Sequence, residues 1–121
     1  MSDLMSFTSV FESVSVTSTT TGSGANVVYI VPANFDLELT YLTCTNGGST
    51  QNINVQVYHA DTTSYSYILR SHSVAGNDSY NILTSNRIFL HAGDKVLAYK
   101  GGGTFDVILS GKQYYNPVRT I

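Results

Sequence analysis

The chain has 121 residues, a length that fits one domain, and charged residues make up only 12% of it, against a usual share of roughly 25%. A formal net charge of −2 and the absence of a Lys/Arg cluster exclude the electrostatic attraction on which non-specific nucleic-acid binding depends. No stretch approaches the roughly 20 apolar residues of a membrane helix, and residues 1–16 lack the basic and apolar pattern of a secretory signal. We therefore expect a protein that is made in a cytoplasm and has neither a nucleic-acid nor a membrane partner.

Residues 1–16 are expected to form an N-terminal arm. Its larger apolar side chains include Met5, Phe7, Val10, Phe11, Val14 and Val16. Four of them match the spacing of one helical face, namely Phe7, Val10, Phe11 and Val14. The Ser, Thr and Val content of the arm favours an extended strand instead. The tract that follows, residues 17–25 (TSTTTGSGA), has no apolar side chain larger than Ala and predicts a linker or long turn. The arm can fold back on its own domain or reach a neighbouring subunit, and the sequence leaves both placements open.

Residues 26–115 form the body, where an apolar residue alternates with Ser, Thr, Asn or Gln. Period-two alternation is the signature of strands buried on one face. Turn residues divide the body into about eight strands, near residues 27–31, 37–44, 51–59, 64–71, 79–84, 87–90, 95–100 and 104–109. This spacing predicts an all-β fold, an antiparallel two-sheet sandwich or jelly roll with an N-terminal arm. Pro117 discourages further strand pairing in the tail, residues 116–121.

The phase of the alternation changes at Tyr41. The apolar residues before it are Leu37 and Leu39, and those after it are Leu42 and Cys44, out of phase with the first pair. The change predicts a β-bulge near Tyr41. Cys44 is the sole cysteine, so no internal disulfide can form, and its position in an alternating segment predicts a small buried thiol in the core.

The polar positions of the predicted strands carry hydroxyls and amides where Lys and Glu would be usual. Asn52, Asn54 and Gln56 alternate with apolar residues on one strand. Hydroxyls and amides are desolvated at lower cost than ions, so a partner can cover such a face. Because the chain carries little charge, we expect an assembled component and a homo-oligomer, with a trimer as one option.

Groups that could do chemistry are few and scattered. His59, His72 and His91 occur singly and without zinc-site spacing. The nearest approaches to a metal pair are the turns at residues 59–61 (HAD) and 91–94 (HAGD), where a single hydrogen bond at a turn is the favoured interpretation. No nucleophile elbow, phosphate loop or carboxylate pair can be identified. We expect no catalytic residues, no metal and no cofactor.

Aromatic side chains are the main candidates for contact with a partner. Tyr65 and Tyr67 alternate on one predicted strand, and Tyr114 and Tyr115 lie beside the tail. Tyr is enriched in protein interfaces and at the margins of cores, although aromatic rings near Asn-rich loops can also stack on sugars. The candidate interaction residues are Met5, Phe7, Val10, Phe11, Val14, Tyr65, Tyr67, Tyr114 and Tyr115.

The order of strands and turns resembles a family once the body is taken as a whole. The segments that carry the likeness are residues 31–33 (VPA), 39–46 (LTYLTCTN), 53–58 (INVQVY), 88–96 (IFLHAGDKV) and 105–110 (FDVILS). In this layout the chain is similar to small structural proteins of tailed-phage virions, and the likeness covers most of residues 27–110. It implies a compact β-sandwich with a structural role and no catalytic residues. The arm and the tail depart from the family layout, and both lie where attachment to one site on a particle would be encoded.

The resemblance implies a non-enzymatic virion structural protein, assembled in the host cytoplasm. We expect a capsid decoration or cement protein that binds the major capsid protein, or another virion protein, at the surface of the shell. Two alternatives stay open. One is a tail, collar or fibre-attachment component, and the other is a carbohydrate-binding module that adheres to the host surface.

Overall fold

The computed structural model describes residues 6–84 and 86–117, and in this part of the chain nine β-strands make up all the regular structure apart from one 3-10 turn at Gly22–Gly24. The strands are β1 (Phe7–Val16), β2 (Asn26–Ile30), β3 (Phe35–Asn46), β4 (Gln51–His59), β5 (Ser64–Val74), β6 (Asp78–Asn81), β7 (Ile88–His91), β8 (Lys95–Lys100) and β9 (Phe105–Tyr115). Strands β2 to β9 form the body, so the predicted all-β body of about eight strands is confirmed. Met5 and residues 118–121 lie outside the described residues.

Two antiparallel sheets form the sandwich. Sheet A has the strand order β1-β9-β3-β6, and β7 also pairs with β3. Sheet B has the order β2-β8-β4-β5. The pairings are antiparallel throughout, which confirms the predicted two-sheet arrangement. At one margin of the sandwich β1 contacts β2, and at another β5 contacts β6.

Apolar residues at alternate strand positions fill the space between the sheets. Side chains with no exposed surface include Leu37, Leu39, Leu42, Cys44, Ile53, Val55, Val96, Val107 and Leu109. Fully burying a Val or Leu side chain stabilises a fold by roughly 1.5–3 kcal/mol, so these positions dominate the stability of the sandwich. Burial raises the pKa of the Cys44 thiol to about 11, and this cysteine is a packed core residue as predicted.

The predicted β-bulge near Tyr41 is confirmed. Leu39 and Tyr41 pair with consecutive residues of β9, so Thr40 is the extra residue on β3. The bulge turns Tyr41 outward and puts the next residue back into the core. Gly111 lies opposite the bulge, and a side chain there would collide with the carbonyl oxygen of Glu38. The two strands approach this closely only because position 111 has no Cβ.

The segment expected as an arm lies on its own sandwich, which is one of the two placements that the sequence leaves open. β1 pairs with β9 over all ten of its residues without a register shift. Val10 and Val16 are buried in the core. The extended form prevails over the helical one because the β-branched and aromatic side chains of this segment fit a half-buried strand.

Residues 17–25, expected as a linker, form an ordered loop between β1 and β2. The side-chain oxygen of Asn26 accepts hydrogen bonds from the backbone N–H groups of Thr17 and Ser18, at 2.7 and 2.9 Å. Gly22 begins the 3-10 turn with φ at +66°, a left-handed conformation that favours glycine. This segment is called the covering loop below, because it lies over the outer face of sheet B.

Candidate interaction surfaces

The structure places those predicted interaction residues that it describes, all except Met5, on two opposite surfaces and in the core. Phe7, Phe11 and Tyr114 lie on the outer face of sheet A. Tyr65 and Tyr67 lie on the outer face of sheet B. The two groups are therefore on opposite sides of the sandwich and cannot contact the same patch of a partner.

Val10 and Val14 are grouped with these residues by the sequence, but both turn inward because side chains alternate along a strand. Val10 is only 8% exposed, and Val14 packs against the core cluster. Tyr115 lies at the end of β9, where its ring meets that of Phe35 edge-on at 5.6 Å. A shallow cavity of about 160 Å³ is lined by Ser6, Phe7, Thr8, Phe35, Gln113 and Tyr115. It is smaller than the roughly 300–1,000 Å³ of most ligand pockets.

Four tyrosines, Tyr58, Tyr65, Tyr67 and Tyr99, form a cluster on the outer face of sheet B that is called the tyrosine face below. The ring centres of Tyr58 and Tyr65 are 5.0 Å apart, and those of Tyr67 and Tyr99 are 6.5 Å apart. The hydroxyls of Tyr67 and Tyr99 form a hydrogen bond of 2.6 Å. This bond lowers the pKa of Tyr67, while burial raises the pKa of Tyr99.

Cations of the chain itself lie against two of these rings. The guanidinium carbon of Arg70 is 4.8 Å from the ring centre of Tyr67, and the ammonium nitrogen of Lys95 is 5.2 Å from that of Tyr58. Such contacts are favourable by about 0.5–1 kcal/mol at exposed sites. A cation of the chain therefore covers one face of each of these two rings.

The covering loop lies across another part of the tyrosine face. The hydroxyl of Thr21 and the backbone N–H of Gly22 donate to the side-chain oxygen of Gln56, at 3.2 and 3.0 Å. Gln56 is 4% exposed, and Leu97, its neighbour on β8, is 2% exposed although it points away from the main core. The loop thus covers an amide that the sheet would otherwise present to solvent, and the Leu97 side chain beside this amide is buried.

The amide row of β4 is not the contact surface that the sequence suggests. Gln56 is covered by the loop, and Asn54 is 5% exposed because its side-chain oxygen accepts the backbone N–H of Ser71 at 2.6 Å. Ser71 has φ at +49°, in a part of β5 where the register with β4 shifts. The chain itself satisfies both amides, so these two positions are not available to a partner.

The outer face of sheet A presents four exposed rings, Phe7, Phe11, Tyr41 and Phe89, which are called the aromatic face below. Their side chains are 49%, 68%, 41% and 65% exposed. Ser110 of β9 lies in register between Phe11 on β1 and Tyr41 on β3, so a small residue separates two large ones. A patch of exposed rings on one rigid face is typical of an interaction site.

Charges on the aromatic face are paired within the chain. Arg87 lies 3.0 Å from one carboxylate oxygen of Glu38, and the hydroxyl of Tyr114 donates to the other at 3.1 Å. Burial and the Glu38 carboxylate together raise the pKa of Tyr114. The ammonium nitrogen of Lys112 lies 5.0 Å from the ring centre of Phe7. A partner that covered this face would not have to desolvate a lone carboxylate.

Hydroxyl side chains surround the rings of the aromatic face. On the same side of sheet A, the register places Ser9, Ser13, Ser15, Ser110, Thr43 and Thr45. Ser15 donates to Asp106 at 2.7 Å, so this carboxylate also has a partner in the chain. The outward positions of β1 form a polar, uncharged strand face of the kind predicted from the sequence, and they are open to solvent.

The two histidine turns meet in space through a single carboxylate. One oxygen of Asp94 accepts the backbone N–H of Ala60, and the other accepts that of His91, both at 2.9 Å. The Nδ1 atom of His91 lies 3.1 Å from Asp36. Among the residues that the structure describes, no group of three or more His, Cys, Asp and Glu side chains is placed to hold a metal ion.

Comparisons with known proteins do not assign the chain to a family. No family model matches it. A search of the curated proteins also finds no match. Within residues 6–84 and 86–117, no helix has the length and apolar character needed to cross a membrane. A functional proposal therefore rests on the two outer faces and on the resemblance in strand order.

Proposed function

We propose that this chain is a non-enzymatic structural protein of a tailed-phage particle, where it binds the capsid shell as a decoration protein. The aromatic face is the observation that carries the proposal, because four exposed rings stand there among hydroxyl side chains on a rigid sheet. Apolar rings contribute affinity when they are buried, and hydroxyls are desolvated at moderate cost. The order of strands and turns, similar to that of phage structural proteins, supports the phage assignment.

The partner at the aromatic face would be the major capsid protein or another virion protein. Burying one Phe ring contributes roughly 1.5–3 kcal/mol, so a partner with a matching apolar surface gains most from Phe11 and Phe89, the two most exposed rings of this face. The Glu38 carboxylate already has Arg87 and Tyr114 as partners, so covering this face does not leave that carboxylate unpaired. Affinity on such a surface comes from a few ring contacts, as at other protein interfaces.

Localisation on intact particles tests this proposal. Cryo-electron microscopy of the phage that encodes the chain should show the sandwich repeated over the capsid surface, with sheet A facing the shell. Density confined to the neck or tail would replace the decoration role with the tail, collar or fibre-attachment role. Particles that lack the chain altogether would contradict a structural role in the virion.

A carbohydrate-binding module is the second candidate, favoured by the exposure of Tyr65 and Tyr67, which is 40% and 37%. The contacts of Tyr67 with Arg70 and of Tyr65 with Tyr58 weigh against it, because they occupy ring faces on which a sugar would stack. A glycan array probed with the full chain distinguishes the two candidates. Binding that disappears in Tyr65→Ala would support the sugar-binding role, and an array without any signal would exclude the sugars it carries.

A further inference from the structure

The free edge of β1 is a second interaction surface, distinct from the sheet faces. β1 pairs with β9 along one side over ten residues and without a register shift. In the part of the chain that the structure describes, no strand pairs with its other side. We propose that a second copy of the chain pairs antiparallel with β1 along this edge, so that the two A sheets join across a two-fold axis.

The other sheet edges carry features that hinder strand addition. β2 has five residues and a register shift between Val27 and Tyr29. β5 has two register shifts opposite β4, and Ser71 in it has a positive φ. β6 and β7 have four residues each. Short length and bulges are the usual means by which proteins protect an edge from pairing, and β1 has neither.

The composition of β1 protects its edge at one position only. Its sequence, FTSVFESVSV, contains no Lys, Arg or Pro, and its one charged residue, Glu12, shares the inward side of the strand with the buried Val10 and Val16, where a charge hinders edge pairing. Unpaired N–H and C=O groups along ten extended residues are satisfied best by another extended strand, as in other cases of strand addition. A second copy of β1 is such a strand. Two identical strands related by a two-fold axis cover each other's free edge, so the assembly ends at a dimer.

The pairing register follows from geometry and charge. A two-fold axis perpendicular to the sheet keeps the outer face of each copy on the same side, so residues of equal parity must face each other. Two such registers overlap β1 most fully, one centred on Phe11 and one centred on Glu12. The second places two Glu12 carboxylates directly opposite each other, which is unfavourable. The first places Phe11 beside its copy and Glu12 beside Val10, so we assign the Phe11 register.

This dimer would join the two aromatic faces into one continuous surface. The side chain of Phe11 is 68% exposed and lies on that outer face, so the two copies of it can stack across the axis. The pairing itself does not depend on binding to a particle, and it can be tested on the purified chain.

Analytical ultracentrifugation of the full chain over a dilution series tests the pairing. The wild-type chain should sediment as a dimer of the 13.1-kDa protomer. Phe11→Lys places like charges opposite each other and removes the ring pair. We therefore expect the dissociation constant of the dimer to rise about 10-fold or more. Phe89→Lys is the matched control, because Phe89 has nearly the same exposure on the same sheet but lies on β7, away from the free edge. It should leave the dimer intact.

Mixed chains and a cross-link test the register. A mixture of Phe11→Lys and Phe11→Glu chains should recover the dimer, since opposite charges then face each other. When oxidised glutathione is added as the electron acceptor, two Phe11→Cys thiols should form an intermolecular disulfide, because opposite Cα atoms in an antiparallel pair lie within disulfide range, whereas Phe89→Cys should not. A monomeric or trimeric wild-type chain, or equal effects of the substitutions at positions 11 and 89, would overturn the proposal.

Discussion

The outer faces of the two sheets both display aromatic side chains, but they differ in how far the rest of the chain contacts the rings. On sheet B the rings are engaged by Arg70, Lys95 and one another, and the covering loop lies beside them. On sheet A, Phe11 and Phe89 are about two-thirds exposed, and no loop of the described residues lies over them. From this comparison we expect the open rings of sheet A, rather than the engaged rings of sheet B, to form the docking face.

The largest expected effect concerns Leu97, which is buried on the outer side of sheet B. Leu97→Ala should lower the free energy of unfolding by about 2–5 kcal/mol, because Leu97 is buried although it lies on the outer side of the sheet. Phe89→Ala, the matched change on the outer face of sheet A, should stay within about 0.5 kcal/mol of wild type. Urea unfolding of both variants measures the difference. Equal losses in the two variants would remove the distinction between a covered and an open face.

A smaller effect is expected from the hydrogen bonds that hold the loop. Gln56→Ala removes the acceptor for Thr21 and Gly22, so we expect a loss of about 1–3 kcal/mol in the free energy of unfolding. Asn52→Ala is the control, because Asn52 lies on the same face of β4 and is exposed. It should change the free energy by less than about 0.5 kcal/mol. If the control cost as much as Gln56→Ala, the loop contacts would not explain the burial of sheet B.

The smallest effect is a shift in tyrosine titration, followed by ultraviolet absorbance at alkaline pH. Burial raises the pKa of Tyr99. The pKa of Tyr114 on sheet A is also raised, so Tyr114→Phe removes another tyrosine that titrates late. Tyr99→Phe should therefore remove absorbance that appears above the ordinary tyrosine range, and it should bring Tyr67 back toward its usual pKa because their hydrogen bond is lost. If Tyr99→Phe lost absorbance within the ordinary tyrosine range and left the titration of the other tyrosines unchanged, the hydrogen bond between the Tyr67 and Tyr99 hydroxyls would be contradicted.

The same raised pKa values determine how stability depends on pH. A tyrosine whose pKa is higher in the folded than in the unfolded chain holds its proton longer when folded. Above about pH 10 the folded chain then binds more protons than the unfolded one, so the free energy of unfolding falls as pH rises. Tyr99, Tyr114 and the Cys44 thiol act in this direction, and Tyr67 acts against it.

Much of the fold could be predicted because its signals are local. The bounds of β4 and β8 follow from alternation between turn residues, and the bulge follows from the change of phase at Tyr41. β9 is longer than the predicted strand at residues 104–109, since it reaches Tyr115. Pairing with β1 on one side and β3 on the other extends it, and that support is invisible in the segment itself.

The candidate surfaces were harder to predict because they depend on contacts between distant segments. Alternation identifies Tyr65 and Tyr67, but it misses Tyr58 and Tyr99, which join them only through the pairing of β4 with β5 and β8. Phe89 lies between two apolar residues in a short strand, so its sequence context indicates a core position rather than an exposed one. The cover over Gln56 comes from residues about 35 positions earlier, for which the local sequence has no signal.

Binding of paired variants to phage particles tests most directly whether the open face of sheet A is the docking surface. Tyr41→Ala with Phe89→Ala removes two rings of the aromatic face away from the β1 edge, and Tyr65→Ala with Tyr67→Ala removes two partly exposed rings from sheet B. Co-sedimentation with particles that lack the chain should show affinity about 100-fold weaker for the first pair, since each ring is worth about one factor of ten. The second pair should bind like wild type. Normal binding by the first pair with loss in the second would contradict the account.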